Sequence, residues 1–183
     1  MKRTAQPDYD KEQPPRQQQR TEAAFVFIGT KEEVPLGTTD LDLRIKRLTT
    51  LPESIGKLRA LTRLNLTGNR LKELPTAIGS LAALTTLYVD RNQLTELPAA
   101  IGSLTALTTL SVIANQQLKE LPAEIGSLTA LTMLNVHSNQ LTKLPATIGS
   151  LAALTGLYVS SNQLTELPAA IGSLAALTML DVH

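Results

Sequence analysis

A repeat of 23 residues is the feature that most restricts how this 183-residue chain can fold. Five complete units and an incomplete sixth begin at Leu51, Leu74, Leu97, Leu121, Leu144 and Leu167. The unit that begins at Leu97 has 24 residues, because Asn115 and Leu118 are separated by two residues instead of one. A single unit cannot bury its apolar side, so such units stack into a solenoid.

One half of each unit alternates apolar and polar residues, which is typical of a β-strand. In Leu64-Asn65-Leu66 the leucines are expected to point inward, while Arg63 and Asn65 point outward. The half unit upstream contributes a similar strand over residues 41–43. Stacked units therefore predict one parallel sheet of seven strands.

An asparagine follows the strand in each of the five complete units, at Asn69, Asn92, Asn115, Asn139 and Asn162. A buried turn leaves backbone N–H and C=O groups unpaired, which is costly. Because an asparagine side chain both donates and accepts hydrogen bonds, a stacked ladder of asparagines would pair these groups.

The other half of the unit predicts a short helix or helical turn. Between Pro75 and Leu84 the apolar residues Ile78, Leu81 and Leu84 recur at every third position, which places them on one face. Proline is well suited to the start of such an element, because its φ angle is fixed near the helical value.

The units match L-x-x-L-x-L-x-x-N-x-L, and this pattern resembles the leucine-rich repeat over residues 41–183. The sub-pattern L-P-x-x-I-G-x-L-x-x-L-T-x-L is similar to the 23-residue Ras-group type, found in plant intracellular Ras-group-related proteins and in Ras–Raf and Scribble-like scaffolds. The resemblance implies an α/β repeat solenoid, with a curved parallel sheet on the concave side and short helices or turns on the convex side. It also implies protein binding on the concave sheet, with no catalytic chemistry in the repeats.

Three segments are expected along the chain. Residues 1–22, rich in Gln, Pro and charge, are predicted to form a disordered tail. Residues 23–50 are interpreted as an atypical N-terminal cap with a half repeat, and residues 51–183 as the solenoid. The last strand, Met179–His183, has no cap after it, so we expect either self-association through an exposed sheet edge or a chain that is part of a longer protein.

The composition argues against several classes of site. The chain has no cysteine, which excludes disulfides, thiol nucleophiles and Cys-ligated metals, and favours a cytoplasmic location. No apolar run approaches the roughly 20 residues of a membrane span. His137 and His183 lie two units apart, roughly 10 Å by strand spacing, so they cannot share one metal ion. The same spacing separates Asp90 from His137 and argues against a catalytic triad through Ser111. We therefore predict no enzyme and no cofactor.

Partner binding is expected from outward-pointing strand residues, because these vary between units while the stacking positions do not. The candidates are Arg63, Asn65, Tyr88, Asp90, Arg91, Ile113, Met133, Asn135, His137, Tyr158 and Asp181. Tyr88 and Tyr158 are the strongest, since they share one column about 14 Å apart and tyrosine is enriched in interface hot spots.

Residues 41–73 hold eight Lys or Arg against three Asp or Glu, a net charge of +5. These cations fall on strand and convex positions alike and have no stacking aromatics beside them, so nucleic-acid binding is not expected. The sequence predicts a non-enzymatic protein-interaction scaffold in intracellular signalling, whose candidate partners are a small Ras-type GTPase or another signalling protein. The alternatives are the recognition arm of a larger kinase or Roco GTPase, and a self-assembling structural solenoid.

Overall fold

A computed structural model of the chain describes the backbone of residues 25–27 and 33–182 and the side chains of residues 33–182. The predicted tail at residues 1–22 and His183 lie outside the described residues. Seven strands form one parallel sheet in chain order, which confirms the predicted sheet. They are β3 (Asp40–Asp42), β4 (Arg63–Asn65), β5 (Thr86–Tyr88), β6 (Thr109–Ser111), β7 (Met133–Asn135), β8 (Gly156–Tyr158) and β9 (Met179–Asp181).

Two of the expected strand bounds were wrong. The first strand of this sheet is Asp40–Asp42, one residue earlier than expected, and the last ends at Asp181. Backbone bonds nevertheless continue beyond the strands, because the Leu66 N–H donates to the Tyr88 carbonyl at 2.8 Å and the Gly68 N–H to the Asp90 carbonyl at 2.9 Å. The three residues after β4 are therefore still held beside the next unit.

A 3-10 helix of five residues occupies the other half of each unit, as the short helix or turn that was predicted. Each follows a proline in extended conformation, such as Pro75 with φ −66° and ψ 151°. The six are η1 (Glu53–Lys57), η2 (Thr76–Ser80), η3 (Ala99–Ser103), η4 (Ala123–Ser127), η5 (Ala146–Ser150) and η6 (Ala169–Ser173). Successive helices contact one another along the solenoid.

An antiparallel hairpin precedes the parallel sheet. Its strands are β1 (Phe25–Phe27) and β2 (Glu33–Pro35), and Val26 lies opposite Val34. Val34 is buried and belongs to the same core as the repeats. The hairpin falls within residues 23–50, the segment interpreted as the cap.

The core is a row of stacked leucines between the sheet and the 3-10 helices. The inward strand residues Leu64, Leu87 and Leu110 are 0% exposed and lie side by side in register. Leu180 holds the same position in β9 but is 40% exposed, because β9 is the last strand of the sheet. Side chains of nearly one shape thus fill successive layers, which is how a chain with 3% aromatic residues forms a continuous core.

The asparagine ladder is present and confirms the pairing predicted for the buried turn. The Asn92 amide donates to the carbonyls of Leu66, Val89 and Asp90 at 3.0, 3.0 and 3.1 Å. Its Oδ1 accepts the N–H of Leu71 at 3.1 Å. Each asparagine therefore links its own turn to the turn of the preceding unit.

The residue directly before each ladder asparagine has a positive φ angle. Glycine fills this position only once, as Gly68 with φ 74°. The β-branched Ile45 adopts φ 57° at the corresponding position, and its side chain is 77% exposed. A left-handed conformation costs a residue with a Cβ about 1–2 kcal/mol, so Ile45 is strained without gaining burial in return.

We expect Ile45→Gly to raise the free energy of unfolding by about 1 kcal/mol, because relief of the strain outweighs the added freedom of the unfolded chain. Urea denaturation followed by circular dichroism measures the change. Gly68→Ala is the reciprocal variant and should lower stability, since its new Cβ would meet a strained φ angle and the Ile45 Cγ1 at 3.2 Å. A loss of stability in Ile45→Gly would show that the isoleucine side chain stabilises the turn.

Candidate functional site

The side of the sheet opposite the leucine core, here called the open face, corresponds to the face predicted to be concave. The strand register places its outward residues in columns, one residue per strand. The central column consists of Asp42, Asn65, Tyr88, Ser111, Asn135, Tyr158 and Asp181. Ten of the eleven candidate residues lie on this face. Arg91 does not, because it occupies the positive-φ turn after β5.

Charged and aromatic groups are paired at the N-terminal end of the open face. The Arg63 guanidinium lies 3.3 Å from the Asp40 carboxylate and 5.6 Å from the centre of the Tyr88 ring. Beside it, Arg44 and Asp42 form an ion pair at 2.7 Å. Hydrogen bonds from the Arg44 side chain and backbone, partly opposed by desolvation, lower the pKa of Asp42. These contacts hold the Tyr88 ring beside a cation that is itself oriented by a carboxylate.

Asp90 bridges two strands of the open face. One oxygen of its carboxylate accepts the Ser111 hydroxyl at 2.6 Å and the Ile113 N–H at 2.8 Å. Ser111 is buried, so its hydroxyl is held by this contact. Asp90 and Ser111 therefore meet as their neighbouring positions suggested, but His137 is not part of this group.

His137 belongs to a separate chain of hydrogen bonds nearer the C-terminal end. The Ser160 hydroxyl donates to the Asp181 carboxylate at 2.7 Å, and Ser160 Oγ lies 2.7 Å from His137 Nδ1. A hydroxyl has one proton, so the imidazole Nδ1–H must be the donor to Ser160 Oγ. The arrangement orients the imidazole and does not deprotonate the serine, unlike a catalytic triad, where the histidine lies between serine and aspartate.

An apolar group adjoins this chain. The Tyr158 ring lies over Gly156, where an added Cβ would be 3.1 Å from Tyr158 Cε2, and the Tyr158 hydroxyl donates to Met179 Sδ. Met133 and Met179 flank Gly156 in the register and are 41% and 53% exposed. Tyr158 and the two methionines thus form one apolar patch on the open face.

The expected exposure of Asn65 was wrong. Asn65 is only 6% exposed, and its Oδ1 accepts the N–H of Thr67 at 3.0 Å, so it offers little surface to a partner. Asn135 makes the same local bond to the N–H of His137 but is half-buried. Ser160, Gly156 and Met179 were absent from the candidates, although Ser160 is next to His137 in its column, and that position could have pointed to it.

The residues that the structure describes contain no cluster of three side chains able to hold a metal ion. Among the same residues, there is no helix with the length and apolar character needed to cross a membrane. The geometry thus offers a surface of oriented polar groups and two tyrosines.

The sequence model of the family described as leucine-rich repeat region matches residues 40–119 and 112–183 of the chain. The chain belongs to the leucine-rich repeat family. Leucine-rich repeat proteins serve as protein-interaction modules that bind protein partners, and their repeat domains are generally non-enzymatic. A search of curated protein sequences finds no match.

Solved leucine-rich repeat structures agree with this fold. A Leptospira interrogans leucine-rich repeat protein is 36% identical with a TM-score of 0.62, and the match covers 78% of this chain and 42% of the Leptospira chain. The functional domain of InlJ from Listeria monocytogenes is 30% identical with a TM-score of 0.69, and the match covers 79% of this chain and 30% of the InlJ chain. A third structure is the ectodomain of the Arabidopsis thaliana membrane receptor kinase GASSHO1/SCHENGEN3, solved with CASPARIAN STRIP INTEGRITY FACTOR 2. It is 36% identical with a TM-score of 0.72, and the match covers 80% of this chain and 19% of the receptor chain. The chain spans less than half of each of these structures.

Proposed function

We propose that this chain is a protein-interaction scaffold that binds its partner on the open face of the sheet, with Tyr88 and Tyr158 as the main anchors. The observation that carries the proposal is that both rings are half-buried on one column and are fixed by neighbouring side chains. A ring that is already ordered loses little conformational entropy on binding, which favours it as a hot spot.

Two different surfaces surround the two rings. Tyr88 lies beside the Arg63–Asp40 pair, whereas Tyr158 lies in the apolar patch with Met133 and Met179. A partner that spans both would place a polar group near Tyr88 and an apolar side chain near Tyr158. His137 lies on the same face and, with its Nδ1 bonded to Ser160, leaves Nε2 for a partner hydrogen bond.

We further propose a cytoplasmic role in signalling and repeats of the Ras-group type, with a small Ras-type GTPase as the first partner to test. The support comes from the sequence: Ile-Gly-Ser-Leu occurs five times and the chain has no cysteine. The similarity to a receptor-kinase ectodomain supports the alternative that the solenoid is the recognition arm of a larger signalling enzyme.

The double variant Tyr88→Ala and Tyr158→Ala should reduce partner recovery at least about tenfold, because truncating hot-spot residues removes most of the binding energy. Affinity capture from the native cell, quantified by mass spectrometry, measures recovery, and activated Ras-type GTPases are tested directly. The matched control replaces Lys57 and Glu124 by alanine, since both are exposed on the 3-10 helices. The proposal fails if the tyrosine variant stays folded and captures the same proteins in the same amounts.

Self-association is the second candidate, and one observation favours it. At the β9 edge of the sheet Leu180 and Val182 are 40% and 43% exposed, so apolar surface lies at the last strand of the sheet. A second copy of the chain could cover this edge. Light scattering on the same purified sample separates the two functions, since a monomer at high concentration counts against self-association and leaves capture by the open face unaffected.

A further inference from the structure

The extra residue in the unit that begins at Leu97 forms a bulge with its own geometry. Regular units have one residue between the ladder asparagine and the next leucine, as in Asn92-Gln93-Leu94, while here Gln116 and Gln117 both intervene. The bulge is a turn closed by the Leu118 N–H, which donates to the Asn115 carbonyl at 2.9 Å. A local change in the period therefore becomes a local change in backbone shape.

The bulge also changes the bonds of the asparagine ladder. In regular units a leucine N–H donates to the next ladder asparagine, as Leu94 does to Asn115 Oδ1 at 3.1 Å. At the bulge, Asn139 Oδ1 instead accepts the N–H of Asn115 itself, at 2.8 Å. In the next unit the N–H of Gln140 donates to the Leu118 carbonyl. At the bulge no described residue donates its backbone N–H to the Leu94 carbonyl. The two glutamines of the bulge therefore lack the backbone hydrogen bond to the preceding unit that the regular units make.

A pocket of about 440 Å³ lies beside these two glutamines, beyond the C-terminal ends of three neighbouring strands. Its wall is formed by Thr95, Gln116, Gln117, Lys119 and Gln140, and it combines their aliphatic stems with polar groups. The lining residues carry three primary amides, one hydroxyl and one ammonium, and none of them carries a carboxylate. Hydrogen-bond donors and one positive charge are therefore available from the side chains that line the pocket.

The charge of Lys119 is not used within the described part of the chain. No ion pair there involves Lys119, whereas Lys143, in the next unit, lies 3.9 Å from Glu120. An ammonium beside several amide donors matches a carboxylate, because charge-assisted hydrogen bonds are stronger than neutral ones. A neutral amide ligand would meet the same donors but would leave the ammonium without a counter-charge.

We propose that this bulge pocket binds a carboxylate, with Lys119 supplying the charge and the side-chain amides of Gln116, Gln117 and Gln140 supplying donors. None of the residues that line the pocket belongs to the columns of the open face, so the site is independent of recognition there. The carboxylate can come from an acidic segment of a protein or from a small dicarboxylate, and the same chemistry recognises both.

The test is an NMR titration that follows the side-chain amide signals of these glutamines. The probes are the capped dipeptide acetyl-Glu-Glu-amide, its neutral counterpart acetyl-Gln-Gln-amide, and glutarate. We expect both acidic probes to shift the three signals and the neutral peptide to bind at least about fivefold more weakly. Tighter binding of the dipeptide identifies a peptide site, and tighter binding of glutarate a small-molecule site.

The variants separate a built site from general attraction to positive charge. Lys119→Gln should weaken the acidic dipeptide about tenfold, and deletion of Gln117, which restores the 23-residue period, should abolish the shifts of the two remaining glutamines. Lys72→Gln is the matched control, since Lys72 has the same place in a unit without a bulge. If the deletion does not fold, Gln116→Ala with Gln117→Ala takes its place and should weaken binding as strongly as Lys119→Gln.

Two results would overturn the proposal. One is equal binding of the acidic and neutral dipeptides, which would mean that the pocket does not recognise charge. The other is equal weakening by Lys72→Gln and Lys119→Gln, which would mean that any exposed lysine attracts the probe. Because no partner protein is present, failure here leaves the tyrosine test untouched, and failure of that test leaves this one untouched.

Discussion

Replacing Gly126 by alanine should lower the free energy of unfolding by about 3 kcal/mol, near the upper end of typical costs of overpacking. An added Cβ would lie 2.5 Å from the Thr147 carbonyl oxygen and 2.7 Å from the Thr147 Cβ. Both contacts are closer than non-bonded atoms can approach, and the carbonyl belongs to the backbone of the next 3-10 helix. The variant must therefore push η4 and η5 apart, which disturbs the leucine layers on both sides.

The chain contains its own control for this prediction. Gly172 occupies the same place in the same Ile-Gly-Ser-Leu motif, but an added Cβ there would meet nothing within 4 Å. In the 183-residue chain, Gly172→Ala should change stability by less than about 0.5 kcal/mol. Urea denaturation of both variants gives the comparison. Equal losses would mean that the motif needs glycine for its backbone conformation, and that close stacking is not the reason.

The glycines show what one sequence can and cannot predict. The repetition of Ile-Gly-Ser-Leu indicated that stacking requires these residues. The cause is a distance between two units, from Gly126 to Thr147, and no pattern within one unit contains it. The inward leucines and the ladder asparagines were predictable, because each unit repeats the same alternation and the same need to pair a buried turn.

The functional site was less predictable than the fold, because it depends on side chains that meet across strands. The columns of the open face followed from the period, and they correctly aligned Tyr88 with Tyr158. The bond from Ser160 to His137 requires specific side-chain orientations, and the burial of Asn65 depends on a local bond to Thr67. Neither follows from the alternation of apolar and polar residues.

The bulge lies between these two cases. The sequence locates the extra residue between Asn115 and Leu118, since the period changes there and in no other unit. It does not indicate which ladder bond changes, because the Asn139 oxygen could pair with several nearby N–H groups. The structure shows the pairing with Asn115, and the pocket follows from it.

Asn92→Asp should cost about 3 kcal/mol or more, because the variant keeps the shape of the side chain but loses its two N–H donors. The carbonyls of Leu66 and Val89, each 3.0 Å from the Asn92 amide nitrogen, would lose their partner and face a carboxylate. Asn92 is only 6% exposed, so water cannot replace the lost bonds. Urea denaturation at neutral pH measures the loss.

Asn162→Asp removes the same kind of bonds at a half-buried position. The Asn162 amide donates to the Val136 and Val159 carbonyls at 2.9 and 2.8 Å, so the two ladder positions differ mainly in access to water. There the loss should be only about 1 kcal/mol, because solvent can hydrate the carboxylate and the freed carbonyls. Equal losses of stability at both positions would contradict the idea that the ladder asparagines stabilise the fold because they are buried. A larger loss at Asn92 would show that the asparagines stabilise the solenoid by pairing backbone groups that water does not reach.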